Sequence, residues 1–304
     1  MKNPHSCRVV PAFWATCVAM GAVSMDMDSP ASAGWVEAVE ARPVALITGA
    51  SSGIGAALAQ VFAQNGHEVV LAARRAPQLS EIAARIRADG HRAPHILPVD
   101  LARADAAEFI AQELSARNLE PAFLVNNAGY GLLGQAAKLD RHEQLAMIDL
   151  NCRTLTDLSL RWINSLARNR GGILNVASIS GFIPGPGMSV YNASKAYVIS
   201  FSVGLRRELR PKGIRVTALC PGPVPTEFAD RAGLSKSAMG PSFLMQSAEQ
   251  VAEAGYRGLM DGRRTVVPGA INKLATFLIR IIPRSVILSF VDHRQKRRRS
   301  ARSA

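Results

Sequence analysis

Short apolar runs alternate with longer amphipathic stretches along the chain from Pro43 onward. The runs VALITGA (44–50), HEVVLAAR (67–74), HILPVD (95–100), AFLVNNAG (122–129), GGILNVAS (171–178), GIRVTALCPG (213–222) and RTVVPG (264–269) predict seven strands. Several are apolar throughout rather than alternating, as strands covered on both faces should be. Between them, residues 52–66, 77–90, 104–117, about 141–167, 194–210 and 248–262 carry apolar positions at helical spacing. Gly66 and Gly90 stand where helix C-caps are expected. Strands alternating with helices mean β-α-β units. The expected fold is therefore α/β, a doubly wound (Rossmann) seven-stranded parallel sheet in a single domain over 43–270.

The first strand-helix junction reads TGASSGIG, from Thr48 to Gly55. Gly49, Gly53 and Gly55 permit a tight turn and close backbone approach, with Ser51, Ser52 and Ile54 between them. The helix that follows offers free N–H groups and a positive dipole end, which suits a pyrophosphate. A glycine-rich turn alone is a weak signal, but this one sits where a dinucleotide fold needs it. Near the end of strand two stand Arg74 and Arg75, with no acidic residue to bond the ribose hydroxyls of NAD. Guanidinium groups suit a 2′-phosphate, so NADP(H) is the preferred cofactor and NAD(H) the alternative.

Charge changes the picture at one end only. The 304 residues carry a formal net charge of +13, and from Asp261 to Ala304 eleven Lys and Arg face two Asp, a net +9. The excess sits on the C-terminal tail, so a basic domain face for nucleic acid is not implied. Cys7, Cys17, Cys152 and Cys220 form no C-x-x-C pair, which fits reduced thiols in a cytosol. Residues 1–42 differ in character. Lys2, His5 and Arg8 precede a charge-free run from Val9 to Met25, then Asp26, Asp28 and Ala31-Ser32-Ala33. A mis-set start or disordered extension ranks first, a weak anchor second and a signal-like segment third.

Tyr191 and Lys195 lie four apart in YNASK, which places them on one helix face. A nearby cation favours the phenolate and lowers a phenol's pKa from about 10. Together with Thr48-Gly49-x-x-x-Gly53-x-Gly55, NNAG at 126–129, Asn151, Ser178 and Pro221-Gly222, this pair resembles the classical short-chain dehydrogenase/reductase family. The serine precedes the tyrosine by 13 residues, the usual interval in that family. The resemblance covers about residues 43–270 and implies an oxidoreductase acting on CH–OH and C=O groups. It implies Tyr191 as general acid or base, and Lys195 tuning it and bonding the nicotinamide ribose. Ser178 would bond the substrate oxygen, and Asn151 would fix a helix kink and a water. Asp100 would contact the adenine amine, and Asn127, Ala128 and Gly129 would line the cofactor. Pro221, Gly222, Val224 and Thr226 would flank the nicotinamide. Asn126 is expected to tie strand four to the Thr48 turn. A small-molecule carbonyl or alcohol is the expected substrate, in a cytoplasmic homo-oligomer, dimer or tetramer. The competing class is an idle dinucleotide sensor or scaffold, which would be expected to lack part of the Asn-Ser-Tyr-Lys set.

The chain departs from many family members after Val267-Pro268-Gly269 by continuing for about 35 residues. Leu274, Phe277, Leu278, Ile281 and Ile282 form a helical stripe, and RQKRRRSAR follows. Two readings of 271–304 stand level: a helix packed on its own domain, and an interfacial helix drawn to anionic lipid. Residues 182–190 and 223–246, with Phe228, Phe243, Leu244 and Met245, are expected to wall an apolar substrate pocket. Cys220 is read as a core thiol. No metal is expected at His91 and His95, because Pro94 breaks the helix they would need.

Overall fold

A computed structural model describes residues 40–232, 245–279, 281–283, 285, 286 and 288. The leader-like run at 9–25 and the RQKRRRSAR segment lie outside the described residues. Strands β1 (Arg42–Thr48), β2 (Glu68–Ala73), β3 (His95–Pro98), β4 (Leu119–Asn126), β5 (Gly172–Val176), β6 (Arg215–Leu219) and β7 (Thr265–Val266) form one sheet. Its order is β3-β2-β1-β4-β5-β6-β7, and every neighbouring pair is parallel. The chain moves outward from β1 to β3, then returns to place β4 on the other side of β1. That reversal opens a crevice at the C-terminal ends of β1 and β4, where doubly wound sheets bind ligands.

The helices are α1 (Gly53–Gln64), α2 (Ala76–Ala88), α3 (Ala106–Ala116), α4 (Arg141–Ile148), α5 (Leu155–Arg161), α6 (Ile163–Arg168), α7 (Ser189–Leu209), α8 (Glu227–Arg231), α9 (Ala248–Met260) and α10 (Ala270–Ile279). Alternate residues of each strand serve opposite faces. Ile47, Leu71 and Val125 meet Phe62 of α1, Leu79 of α2 and Val251 of α9 in one core. Leu46, Val70 and Leu124 meet Ile110 of α3, Leu158 of α5 and Leu205 of α7 in the other. Burying each such side chain contributes about 1.5–3 kcal/mol, which explains why the strands are apolar on both sides.

Two predicted elements differ. The expected continuous helix over 141–167 is broken into α4, α5 and α6, with a π-helical segment, Asp149–Thr154, between α4 and α5. Its helical periodicity persists through the break, so hydrophobic spacing does not reveal it. β7 pairs over two residues only, because it is an edge strand held through Ala218 and Leu219.

Candidate active site

The glycine turn leaves β1 at Thr48 and is tied to β4 by side chains. Thr48 Oγ1 donates to the Val125 carbonyl (3.1 Å) and accepts from the N–H groups of Asn127 (3.0 Å) and Ala128 (3.2 Å). Asn127 Nδ2 donates to the carbonyls of Thr48 (3.0 Å) and Gly49 (3.2 Å). The role expected of Asn126 therefore falls to Asn127. Asn126 points into the core, where its Nδ2 donates to Asn175 Oδ1 and Ser159 Oγ at 2.9 Å each. Adjacent strand residues face opposite ways, so a one-residue error in assignment moves the side chain across the sheet.

The turn is closely built. A Cβ at Gly55 would stand 2.3 Å from the Gly49 carbonyl oxygen, and Gly49 holds φ +66°. Only glycine fits both positions without shifting backbone. Ser52, the residue before α1, is extended, and its side chain makes no cap hydrogen bond to the helix. The first N–H groups of α1 thus face the crevice without that cap. Arg75 Nη2 reaches this turn from the end of β2, donating to Ser51 Oγ and Ser52 Oγ at 3.1 Å each and to Glu227 Oε2 at 2.8 Å.

A cleft of about 720 Å³ runs over these groups. All the catalytic and cofactor residues expected from the sequence line it except Gly55, beneath the turn, and Asn151, buried behind Lys195. A glycine-lined cradle, an uncapped helix start and a facing guanidinium fit the diphosphate and phosphorylated ribose of a dinucleotide. Asp100 lines the cleft, its Oδ1 accepting from the Ala102 N–H at 3.0 Å.

At the other end of the cleft lies Tyr191, 7% exposed. Ser178 Oγ accepts from the Ser180 N–H at 3.1 Å and lines the cleft together with the phenol. Lys195 Nζ donates to the Val176 carbonyl at 2.8 Å and stands 5.9 Å from the Tyr191 ring centroid. Burial pushes the phenol up to about 12, against the pull of the Ser178 hydrogen bond. Burial likewise pushes Lys195 down to about 8. The net shift of Tyr191 is thus upward rather than downward, set by desolvation of the buried phenol, while Lys195 is engaged on the Val176 carbonyl.

Asn151 occupies the π-helical segment and holds it in place. Its Nδ2 donates to the Tyr130 carbonyl and to Ser194 Oγ, both at 3.0 Å, while its Oδ1 accepts from the Tyr130 N–H at 3.2 Å. A Cβ at Gly129 would come within 2.8 Å of Asn151 Oδ1 and 3.5 Å of Lys195 Nζ, so glycine there lets these groups approach.

Of the expected pocket wall, Met188 and Phe228 line the cleft, and the Phe228 ring lies 5.4 Å from that of Tyr191. Phe182 and Met245 do not line it, and Phe243 and Leu244 lie outside the described residues. Sequence reasoning missed Leu132 and Leu150 on the lining, whereas Glu227 falls within the expected 223–246 wall. Nothing in the spacing of single apolar residues marks the two leucines. Cys220 is buried in the core, and the His95 ring bonds Glu68 at 2.6 Å.

Residues 43–237 match the short chain dehydrogenase family, more than half of the chain. Sulfoacetaldehyde reductase 2 of Chromohalobacter salexigens is 36% identical over 192 residues, 61% of this chain and 74% of that protein. A short-chain dehydrogenase from Sphingobium yanoikuyae, solved in complex with NADPH, is 33% identical with a TM-score of 0.68, covering 79% of this chain and 96% of that one. The bulky-bulky ketone specific alcohol dehydrogenase from Comamonas testosteroni is 28% identical with a TM-score of 0.64, over 80% of this chain and 96% of that one. Fold, cradle and the Ser178-Tyr191-Lys195 grouping accord with these likenesses, and the chain belongs to the short-chain dehydrogenase/reductase family of oxidoreductases.

Proposed function

We propose that the protein is a cytoplasmic NADP(H)-dependent reductase that interconverts a ketone and a secondary alcohol of an apolar molecule. One observation carries the reading. A buried phenol, sharing the cleft wall with Ser178, Phe228 and Met188, opens on the same cleft as the glycine turn and Arg75. When bound, the nicotinamide supplies or takes the hydride. The chain's own groups handle the oxygen and the proton. Tyr191 keeps its proton at neutral pH and donates it to a carbonyl oxygen as that oxygen gains charge. Ser178 gives the same oxygen a second hydrogen bond and so orients the carbon beside it. Lys195, titrating at about 8, is poised to return a proton to the phenol. Arg75, Ser51 and Ser52 would hold the 2′-phosphate, while the first N–H groups of α1 would hold the diphosphate. The apolar wall, and the likeness to an enzyme named for bulky ketones, support a large hydrophobic substrate. The idle-sensor alternative has no support, since Asn151, Ser178, Tyr191 and Lys195 stand together.

A panel of apolar ketones and alcohols, followed by absorbance of the reduced nicotinamide with NADPH and NADH side by side, tests this. Turnover with NADPH that Tyr191→Phe removes is expected. Cofactor binding with no turnover on any member of the panel would overturn it.

A second reading concerns α10. This helix buries Asn272 and Thr276, while Ile271, Leu274, Phe277 and Leu278 are 44–59% exposed and Ile281 is 66% exposed. Its apolar stripe faces away from the sheet, and six Lys and Arg follow between Arg294 and Arg302. No helix among the described residues is long and apolar enough to cross a membrane. We propose that this face lies on an anionic lipid surface, the basic tail supplying the attraction. Co-sedimentation with phosphatidylserine vesicles, absent with phosphatidylcholine alone and lost in Leu274→Gln/Phe277→Gln/Leu278→Gln, is expected. No sedimentation, or a loss of mass on sizing in that variant, would assign the face to something other than lipid. Exposed Leu145, Ile148 and Leu160 on α4 and α5 favour a homo-oligomer through a different surface, which sizing of that variant leaves intact.

A further inference from the structure

The segment after β6 crosses the cleft and rests on the phosphate cradle. A Cβ at Gly53 would stand 3.0 Å from Thr226 Cγ2, so Thr226 is seated directly over the turn. The next residue, Glu227, places Oε2 2.8 Å from Arg75 Nη2 and 3.1 Å from Ser52 Oγ. Arg75 Nη2 also donates to Ser51 Oγ. These partners come from three parts of the chain, since Ser52 and Glu227 lie 175 residues apart. One guanidinium and one hydroxyl, at a junction that fits a phosphate, here converge on a carboxylate of the protein itself, with the Ser51 hydroxyl on the same guanidinium.

We propose that Glu227 is a displaceable latch on Arg75, occupying the place of the cofactor's 2′-phosphate and competing with it. The proposal rests on the NADP(H) reading above and goes beyond it by naming what sets the preference. A phosphorylated dinucleotide must exchange the Arg75–Glu227 ion pair for an Arg75–phosphate pair. An unphosphorylated one leaves the latch closed. The carboxylate therefore weakens NADPH binding and leaves NADH binding nearly untouched, narrowing the discrimination that Arg75 alone would give. The ion pair is partly open to water, with side chains 30% and 50% exposed, so its effect is modest. An exposed pair of this kind corresponds to about a two- to fivefold change in affinity. That fraction is the reduction a closed state imposes on a ligand needing the open one.

The test is a set of dissociation constants for NADPH, NADH and 2′,5′-ADP on the full chain and on Glu227→Gln, Arg75→Ala and the double variant. Glu227→Gln is expected to tighten NADPH and 2′,5′-ADP about two- to fivefold and to leave NADH unchanged. In the Arg75→Ala background the same change is expected to do nothing, because the latch has lost its keeper. High salt should shrink the gain, as it screens a pair this exposed. Equal tightening of NADPH and NADH would overturn the latch, as would weaker NADPH binding in Glu227→Gln. A gain that persists without Arg75 would overturn it too. Failure of the underlying reading looks different: Arg75→Ala would then leave NADPH affinity intact. Glu227 is half exposed at the cleft rim, so the Gln variant is expected to fold, and a wild-type melting temperature checks this.

Discussion

The Lys195 ammonium spends a hydrogen bond on the Val176 carbonyl at 2.8 Å, while the Tyr191 ring centroid lies 5.9 Å from it. With the cation engaged and the phenol buried, Tyr191 is a proton holder at neutral pH. In the reaction proposed above its proton would be its direct contribution, and the ring's packing against Phe228 does not need the hydroxyl. Tyr191→Phe is therefore expected to lower turnover by about 10²–10⁴-fold, the range for loss of a positioned acid. NADPH affinity should stay at the wild-type level by fluorescence titration. A parallel loss of both would make Tyr191 a packing residue.

Lys195 also carries a signature in stability. Burial lowers its pKa from the ordinary lysine value of 10.5 to about 8. Between those values the unfolded chain binds a proton that the folded chain has released, so stability rises with pH across that window. Tyr191 acts oppositely and higher, between 10 and about 12, where the folded state keeps a proton that the unfolded state loses. The stability of the wild type relative to Lys195→Met isolates the lysine. That difference is expected to grow by up to about 1.4 kcal/mol per pH unit from pH 8 toward pH 10, read from urea midpoints. A flat difference would mean that the folded protein keeps its amine charged.

Arg75 and Arg74 both line the cleft, but only Arg75 has hydrogen bonds to the serines of the turn among the described residues. The two arginines are therefore expected to separate on mutation. Arg75→Ala should weaken NADPH by about 10- to 150-fold, the equivalent of a hydrogen bond to a charged group, and barely move NADH. Arg74→Ala should have the smaller effect of a nearby charge. Isothermal titration of both cofactors against both variants reads this directly, and equal losses would place the phosphate between the two guanidiniums.

Much of this site was legible in the residues. Strand placement followed from runs that are apolar on both faces, and the glycines of 48–55 marked the turn because close backbone approach tolerates little else. What escaped is what a linear reading does not encode. The choice between Asn126 and Asn127 depends on which way a strand-end residue points, and spacing alone does not fix it. The sign of the Tyr191 shift depends on burial, which four-residue spacing does not measure. Glu227 meets Arg75 across 152 residues, and no local pattern announces that meeting. The break at Asn151 kept helical periodicity on both sides and so was visible only as a family expectation.

The two faces of α10 make opposite demands. Asn272 is 3% exposed, and its Nδ2 donates to the Pro268 carbonyl at 3.2 Å. A Cβ at Gly222 would fall 2.5 Å from that same nitrogen, so Asn272 is pressed against the loop bordering the cleft. Asn272→Ala removes a buried donor and opens space beneath Gly222. It is expected to cost about 1–3 kcal/mol and to raise the cofactor KM as the loop loosens. Leu274→Gln/Phe277→Gln/Leu278→Gln changes only side chains that already face water, so its melting temperature should match the wild type within the roughly 0.5 kcal/mol per site typical of surface changes. Thermal melts of the two variants beside the wild type decide the matter. A large loss in the triple variant would show that its apolar stripe is covered by protein and would exclude lipid as its partner.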